Sequence, residues 1–186
     1  MACAKDIAQQ NGLKLGKFLL DFKTYCEDAK IRLVGHSLGA QVILSALDKL
    51  HNDPQLALWN DIDRNYKIAS VDLLGAAVNP EELSVTQGFG ISIQEEVNQF
   101  YNKYSTQDTV LEDYYPGFEG GHIALGEEGA QGMAVGLGNI YHEQEVSNQI
   151  PLDRNGDGIF TIPPDKANHM GYAGIVNRNE SGLTRE

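Results

Sequence analysis

Residues 31–47, IRLVGHSLGAQVILSAL, pass from a β-prone run through Gly-His-Ser-Leu-Gly directly into an apolar, helix-prone stretch. A strand that becomes a helix within a few residues is the opening of a layered α/β unit, with the helix packed back onto the sheet. The turn sets one serine, Ser37, between Gly35 and Gly39. A serine hydroxyl is a weak nucleophile until a base and an oxyanion site stand beside it. A sharp strand-to-helix turn answers that need by forcing the central residue into strained backbone angles and lifting its oxygen above the sheet. The N–H groups opening the helix then face developing negative charge. Small residues are expected on both sides because neighbouring backbone passes close by. Ser37 is read as a nucleophile.

The rest of the chain keeps the alternation. From residue 2 to 25, Ile7, Leu15, Phe18, Leu19, Phe22 and Tyr25 recur at mostly three- and four-residue spacings. That spacing predicts an amphipathic helix buried along this face, with Gly12 a weak point inside it. Residues 31–34 read as a short buried strand, and 38–50 as a helix stopped by Asn52-Asp53-Pro54. Residues 67–78, KIASVDLLGAAV, suit a strand buried on both faces of a helix-covered parallel sheet. A short helix over 91–98, a strand over 99–104, a helical turn or two over 109–115 and a strand over 139–150 follow. The glycine-rich segment 116–138 reads as an irregular excursion and 151–169 as a polar loop. The expectation is one α/β domain over residues 1–186, a mostly parallel sheet with flanking helices.

Charge narrows the function. The formal net charge is −12, from 26 acidic against 14 basic residues. Such a surface repels nucleic acid and anionic lipid, so recognition by phosphate neutralisation is not expected. No apolar run reaches the roughly 18 residues of a transmembrane helix. No basic-then-apolar leader stands at Met1, which makes a cytoplasmic location the default expectation. Cys3 and Cys26, at the two ends of the first predicted helix, would lie about 34 Å apart and could not bridge each other. They lack a Cys-x-x-Cys spacing, so neither structural zinc nor a dithiol centre is expected.

The stretch LVGHSLGA, residues 33–40, resembles the nucleophile elbow of the α/β-hydrolase superfamily in its lipase- and esterase-like form, with histidine before the serine. The order of strands and helices extends the resemblance over nearly the whole chain. It implies a triad in the chain order serine, acid, histidine, the acid after a late strand and the histidine after the last one. Asp108, just past the strand at 99–104, occupies the usual place of the acid, although a helix N-cap is an alternative role for it. Asp72, inside the preceding strand, is the competing acid. Among five histidines, His36 is read as a packing residue, His51 ends a helix, His142 lies within the last strand and His122 precedes it. His169, on the loop after that strand, has the right place in the order. The implied chemistry is proton transfer from Ser37 to His169, with Asp108 fixing the imidazole tautomer. The Leu38 N–H would donate to the oxyanion, and water would release the acyl group. The substrate is a small acyl compound, and no cofactor is required.

The resemblance also implies strands ahead of the elbow and a second oxyanion donor from a loop among them. Here one helix precedes the nucleophile strand, so the expectation is the C-terminal part of a hydrolase. Its sheet edge would be open to pairing with a second chain, a copy of itself or another protein. The competing function is therefore a non-catalytic hydrolase-like domain that works by binding or pairing.

A separate pattern lies in LDRNGDGIF, where Asp153, Asn155 and Asp157 alternate and Gly158 follows. Alternating oxygen ligands on a tight loop suit calcium, with the Ile159 carbonyl as a further ligand and Phe160 as an apolar anchor. The twelfth loop position is Pro164, not glutamate, and Asp165 comes next. A solvated Asn-Gly, Asp-Gly turn is the competing reading. If calcium binds the folded state, millimolar calcium raises the melting temperature relative to chelator, by mass action. Asp157→Ala is expected to abolish that shift with little change in the metal-free protein. Identical midpoints with calcium and with chelator would leave the solvated turn.

Overall fold

The structure, a computed structural model, describes residues 2–56, 59, 66–86, 88–150, 169–172 and 175. The elements in chain order are α1 (Ala2–Tyr25), β1 (Arg32–His36), α2 (Gly39–Asn52), β2 (Ser70–Leu74), α3 (Gly90–Glu96), β3 (Phe100–Tyr104), α4 (Thr109–Phe118), α5 (Leu125–Glu128) and β4 (Tyr141–Glu145). Single 3-10 turns occur at Pro80–Leu83, Val135–Ile140 and His169–Tyr172, among others. The four strands form one sheet in the order β1-β2-β3-β4, and every pairing is parallel. This is the expected α/β architecture. The segment 116–138 is not wholly irregular, since it holds α5 and a 3-10 turn.

One face of the sheet carries the main core. Val71, Leu73 and Phe100 meet Ile43, Leu44 and Leu47 of α2, with Ile68, Ile93, Val97 and Trp59 in the same buried cluster. On α2 the buried residues Ala40, Ile43, Leu44, Leu47 and Leu50 recur at three- and four-residue spacing, so that stripe is the helix's sheet-facing side. The opposite sheet face is different. Register aligns Val34 with Asp72 and Asp72 with Tyr101, which puts these side chains on one face together with Arg32 and Lys103. Asp72 is buried there between two cations, Arg32 Nε at 2.9 Å and Lys103 Nζ at 3.0 Å. Strand β2 is buried on both faces, as expected for the segment 67–78, but the face that carries Asp72 is polar. A buried carboxylate persists on it because both of its oxygens are paired.

Helix α1 forms where expected but buries a different face. Ala8, Gly12, Gly16, Leu19, Leu20 and Lys23 are buried, whereas Ile7, Phe18, Phe22 and Tyr25 are exposed, Tyr25 at 88%. Only Leu19 of the predicted stripe is fully covered, and Leu15 is half-covered. The reason is steric. A Cβ on Gly12 would stand 2.5 Å from the Ser45 Cβ and 2.6 Å from the Val42 carbonyl oxygen of α2, and one on Gly16 3.2 Å from the Ala46 oxygen. Interaxial distance follows side-chain size at the contact, so a seam of small residues brings α1 directly onto the α2 backbone. Gly12 is a contact, not a weak point. Gly12→Ala gains about 1 kcal/mol of helix propensity but overpacks this seam, at a typical cost of about 1–3 kcal/mol. A net loss of stability is expected in urea unfolding, larger than for Gly16→Ala, where the clearance is greater.

Candidate functional site

The site is built where β1, β2 and β3 end. Strand β1 turns into α2 through Ser37 and Leu38, and Ser37 has a positive φ of 54°. The β1–α2 turn is stitched to the end of β2 on both sides of the serine's peptide unit. The Ser37 N–H donates to the Leu74 carbonyl at 3.1 Å, and the Ala77 N–H donates to the Ser37 carbonyl at 3.1 Å. Neighbouring β2 thus holds the strained residue in place. Gly35 must be small, since a Cβ there would lie 2.8 Å from the Ile43 Cδ1 and 2.9 Å from the Gly39 oxygen. Gly39 has no such constraint, and a Cβ there would meet nothing within 4 Å. Of the two small flanks expected, packing requires only the first. Leu38 sits at the N-cap of α2, where backbone N–H groups have no acceptor within the helix.

Asp108 caps α4, its Oδ1 accepting the Leu111 N–H at 3.2 Å. Its other oxygen, Oδ2, lies 2.7 Å from the His169 Nδ1. The cap and the candidate triad acid are one residue, because the two oxygens serve different partners. Asp108 is 1% exposed and His169 7%, so this charge-assisted bond is made out of water, where it is strong. The carboxylate accepts, so Nδ1 carries the proton, and in the neutral imidazole Nε2 then presents a lone pair. That Nε2 is buried and has no hydrogen-bond partner among the described residues. Ser37 and His169 are not directly hydrogen-bonded in this structure.

The turn His169–Tyr172 that carries the imidazole is anchored from below. Tyr172 and Ile175 pack with Leu74, Val146 and Ile150 in a small buried cluster. The Tyr172 hydroxyl donates to the Gly126 carbonyl at 3.4 Å, and burial together with the Asp108 charge pushes its pKa upward. Room for this ring comes from Gly75, at φ 50°, where a Cβ would stand 2.7 Å from the Tyr172 ring and 3.2 Å from Asp108 Oδ2. His36 is not inert packing. Its Nε2 lies 2.7 Å from the His169 carbonyl oxygen, and the two rings sit tilted against each other with centroids 4.5 Å apart.

The other candidates fall elsewhere. Asp72, paired with Arg32 and Lys103, has no histidine partner. His51 Nδ1 is 3.0 Å from the buried Glu96 carboxylate, and His142 stacks on Tyr101 beside Gln99. His122 is a surface residue 4.0 Å from Glu81. The calcium candidates Asp153, Asn155, Asp157 and Ile159 lie outside the described residues. Among the described residues no group of three or more His, Cys, Asp or Glu side chains could hold a metal, and no helix is long and apolar enough to cross a membrane.

A cavity of about 330 Å³ opens over Ser37 and Leu38, between the start of α1 and one side of α4. Ala77, Val110, Tyr114 and Phe118 give it an apolar lining. Its one cationic lining residue, Lys5, lies 3.0 Å from Glu119 and 3.3 Å from Glu82. Burial opposes the Lys5 charge, but the bonds to Glu119 and Glu82 outweigh it and raise its pKa.

Comparison with models of known families, with curated proteins and with solved structures found no match. Interpretation of the site therefore rests on its own geometry. The positive φ of Ser37 gives one direct test. The left-handed conformation costs a residue with a Cβ roughly 1 kcal/mol more than glycine. Ser37→Gly is expected to unfold at higher urea than Ser37→Ala, by about that amount, although both variants lack the hydroxyl.

Proposed function

We propose that this chain is a serine hydrolase that cleaves esters through an acyl-enzyme, with Ser37 as nucleophile, His169 as general base and Asp108 as its orienting acid. The observation that carries the reading is the buried Asp108–His169 pair, which leaves the His169 Nε2 as an unpartnered acceptor. As Oγ of Ser37 attacks the acyl carbon, Nε2 takes its proton and the imidazolium is stabilised by Asp108. The Leu38 N–H, at the opening of α2, donates to the oxyanion. His169 then protonates the departing alcohol, and water activated by the same Nε2 releases the acid.

The cavity supports a neutral ester with an apolar acyl group. Lys5 is already held by two carboxylates, and the chain carries a net charge of −12. An anionic acyl chain would meet no uncommitted cation among the described residues lining the cavity. A second reading, pairing with another chain without turnover, has its own support. Strand β1 is an outer strand of the sheet with Val34 46% exposed, and α1 presents Ile7, Phe18 and Phe22 to solvent.

A fluorophosphonate probe is expected to label Ser37 and nothing else, with Ser37→Ala unlabelled and His169→Ala slowed by at least roughly a hundredfold. Across p-nitrophenyl esters, kcat/KM should rise about fourfold per added methylene while the chain still fits, because each buried methylene is worth about 0.8 kcal/mol. A hemisuccinyl ester should be disfavoured against its neutral isostere. Folded protein that never reacts with the probe but self-associates in size-exclusion chromatography would replace the hydrolase with the pairing domain.

A further inference from the structure

His36 and Ser37 are consecutive, at the end of β1, while His169 comes 133 residues after His36 in the chain. A nucleophile and its base that far apart in sequence need a fixed spatial relation, since proton transfer tolerates little misplacement. Among the described residues a direct tie joins the two segments, and it is made by the nucleophile's neighbour. His36 Nε2 lies 2.7 Å from the main-chain oxygen of His169. A carbonyl only accepts, so Nε2 carries the proton and His36 is the Nε2–H tautomer. Its ring is tilted against that of His169, with centroids 4.5 Å apart and 44° between planes, and lies 5.9 Å from the Tyr172 ring. The side chain of His169 is thus held by Asp108 and its backbone by His36.

We propose that His36 is a positioning residue of the acyl-transfer site: it locks the main chain of His169 to the nucleophile turn and thereby sets the distance from Nε2 to Ser37. This inference rests on the hydrolase reading above. A single hydrogen bond is worth only about 1 kcal/mol of net stability, so losing it changes the fold little. A misplacement of about 1 Å at a reacting centre, in contrast, can cost about a hundredfold in rate. The bond therefore matters more to catalysis than to folding. The groups that face His36 are the His169 and Tyr172 rings, with the Asp108 carboxylate behind them. Burial, and then the neighbouring His169, lower its pKa. A neutral His36 can donate to the carbonyl without placing a second positive charge beside the imidazolium that forms during turnover.

The test compares His36→Phe, which keeps a ring but no donor, with His36→Gln, which keeps an N–H at similar reach. Labelling of wild-type Ser37 by the fluorophosphonate comes first; its failure in folded protein sinks the hydrolase reading itself, before His36 is touched. Given labelling, His36→Phe is expected to react roughly 10- to 100-fold more slowly, with kcat lowered, KM for a p-nitrophenyl ester unchanged and the melting temperature within a few degrees. His36→Gln is expected to recover to within about threefold of wild type, because the donor is restored. A Phe variant as fast as wild type, or a Gln variant as slow as a well-folded Phe variant, overturns the proposal. If the Phe variant does not fold, nitrogen-edited NMR of the wild type decides through the tautomer. A His36 proton on Nε2 supports the tie, and one on Nδ1 refutes it.

Discussion

The carboxylate of Asp108 is the junction on which the site depends. One oxygen ends the backbone of α4 by accepting the Leu111 N–H, and the other holds the His169 imidazole. The first contact fixes the carboxylate relative to β3, which ends a few residues earlier. The second brings in a histidine from far along the chain. Removing the carboxylate would strand a helix donor and a buried ring N–H together, and each unsatisfied buried group costs roughly 1–3 kcal/mol. Gly75 belongs to the same junction. Only a residue without a Cβ leaves room there for both the Asp108 oxygen and the Tyr172 ring, and Tyr172 in turn seats the turn that carries His169.

Two buried aspartates, Asp72 on β2 and Asp108 just past β3, illustrate how partners decide chemistry. Asp72 faces Arg32 and Lys103; its charge is matched by fixed cations, and it serves to close the polar face of the sheet. Asp108 faces an imidazole and a backbone N–H. Neither partner carries a permanent charge, so its negative potential is not cancelled by a fixed cation. The same residue type gives an ion cluster in the middle of one strand and an imidazole contact just after the end of another. Parallel strands align their C-terminal ends, which gathers Ser37 and Asp108 on one rim although 71 positions separate them.

The alternation of strand and helix, the turn at Ser37 and the place of His169 after the last strand were legible in the sequence because each is local or a matter of chain order. The capping role of Asp108 was legible for the same reason, since an N-cap is a contact three residues long. What could not be read was which side of α1 faces inward. Ile7, Phe18 and Phe22 make the stronger apolar stripe, yet Gly12 and Gly16 make the contact. Hydrophobic periodicity counts side chains, whereas close helix approach selects for their absence. Nor could one apolar-looking segment reveal that Asp72 meets cations contributed by two neighbouring strands.

The sequence by itself determined the layered α/β class and the strained serine between strand and helix, because turn chemistry and period are written in consecutive residues. Tertiary structure alone decided that Asp108 and not Asp72 meets a histidine, that Gly35 but not Gly39 is sterically required, and that His36 reaches the backbone of His169. Those choices depend on which atoms approach across the sheet and around its rim. Distances between residues so far apart in the chain are set by packing, which no local pattern encodes.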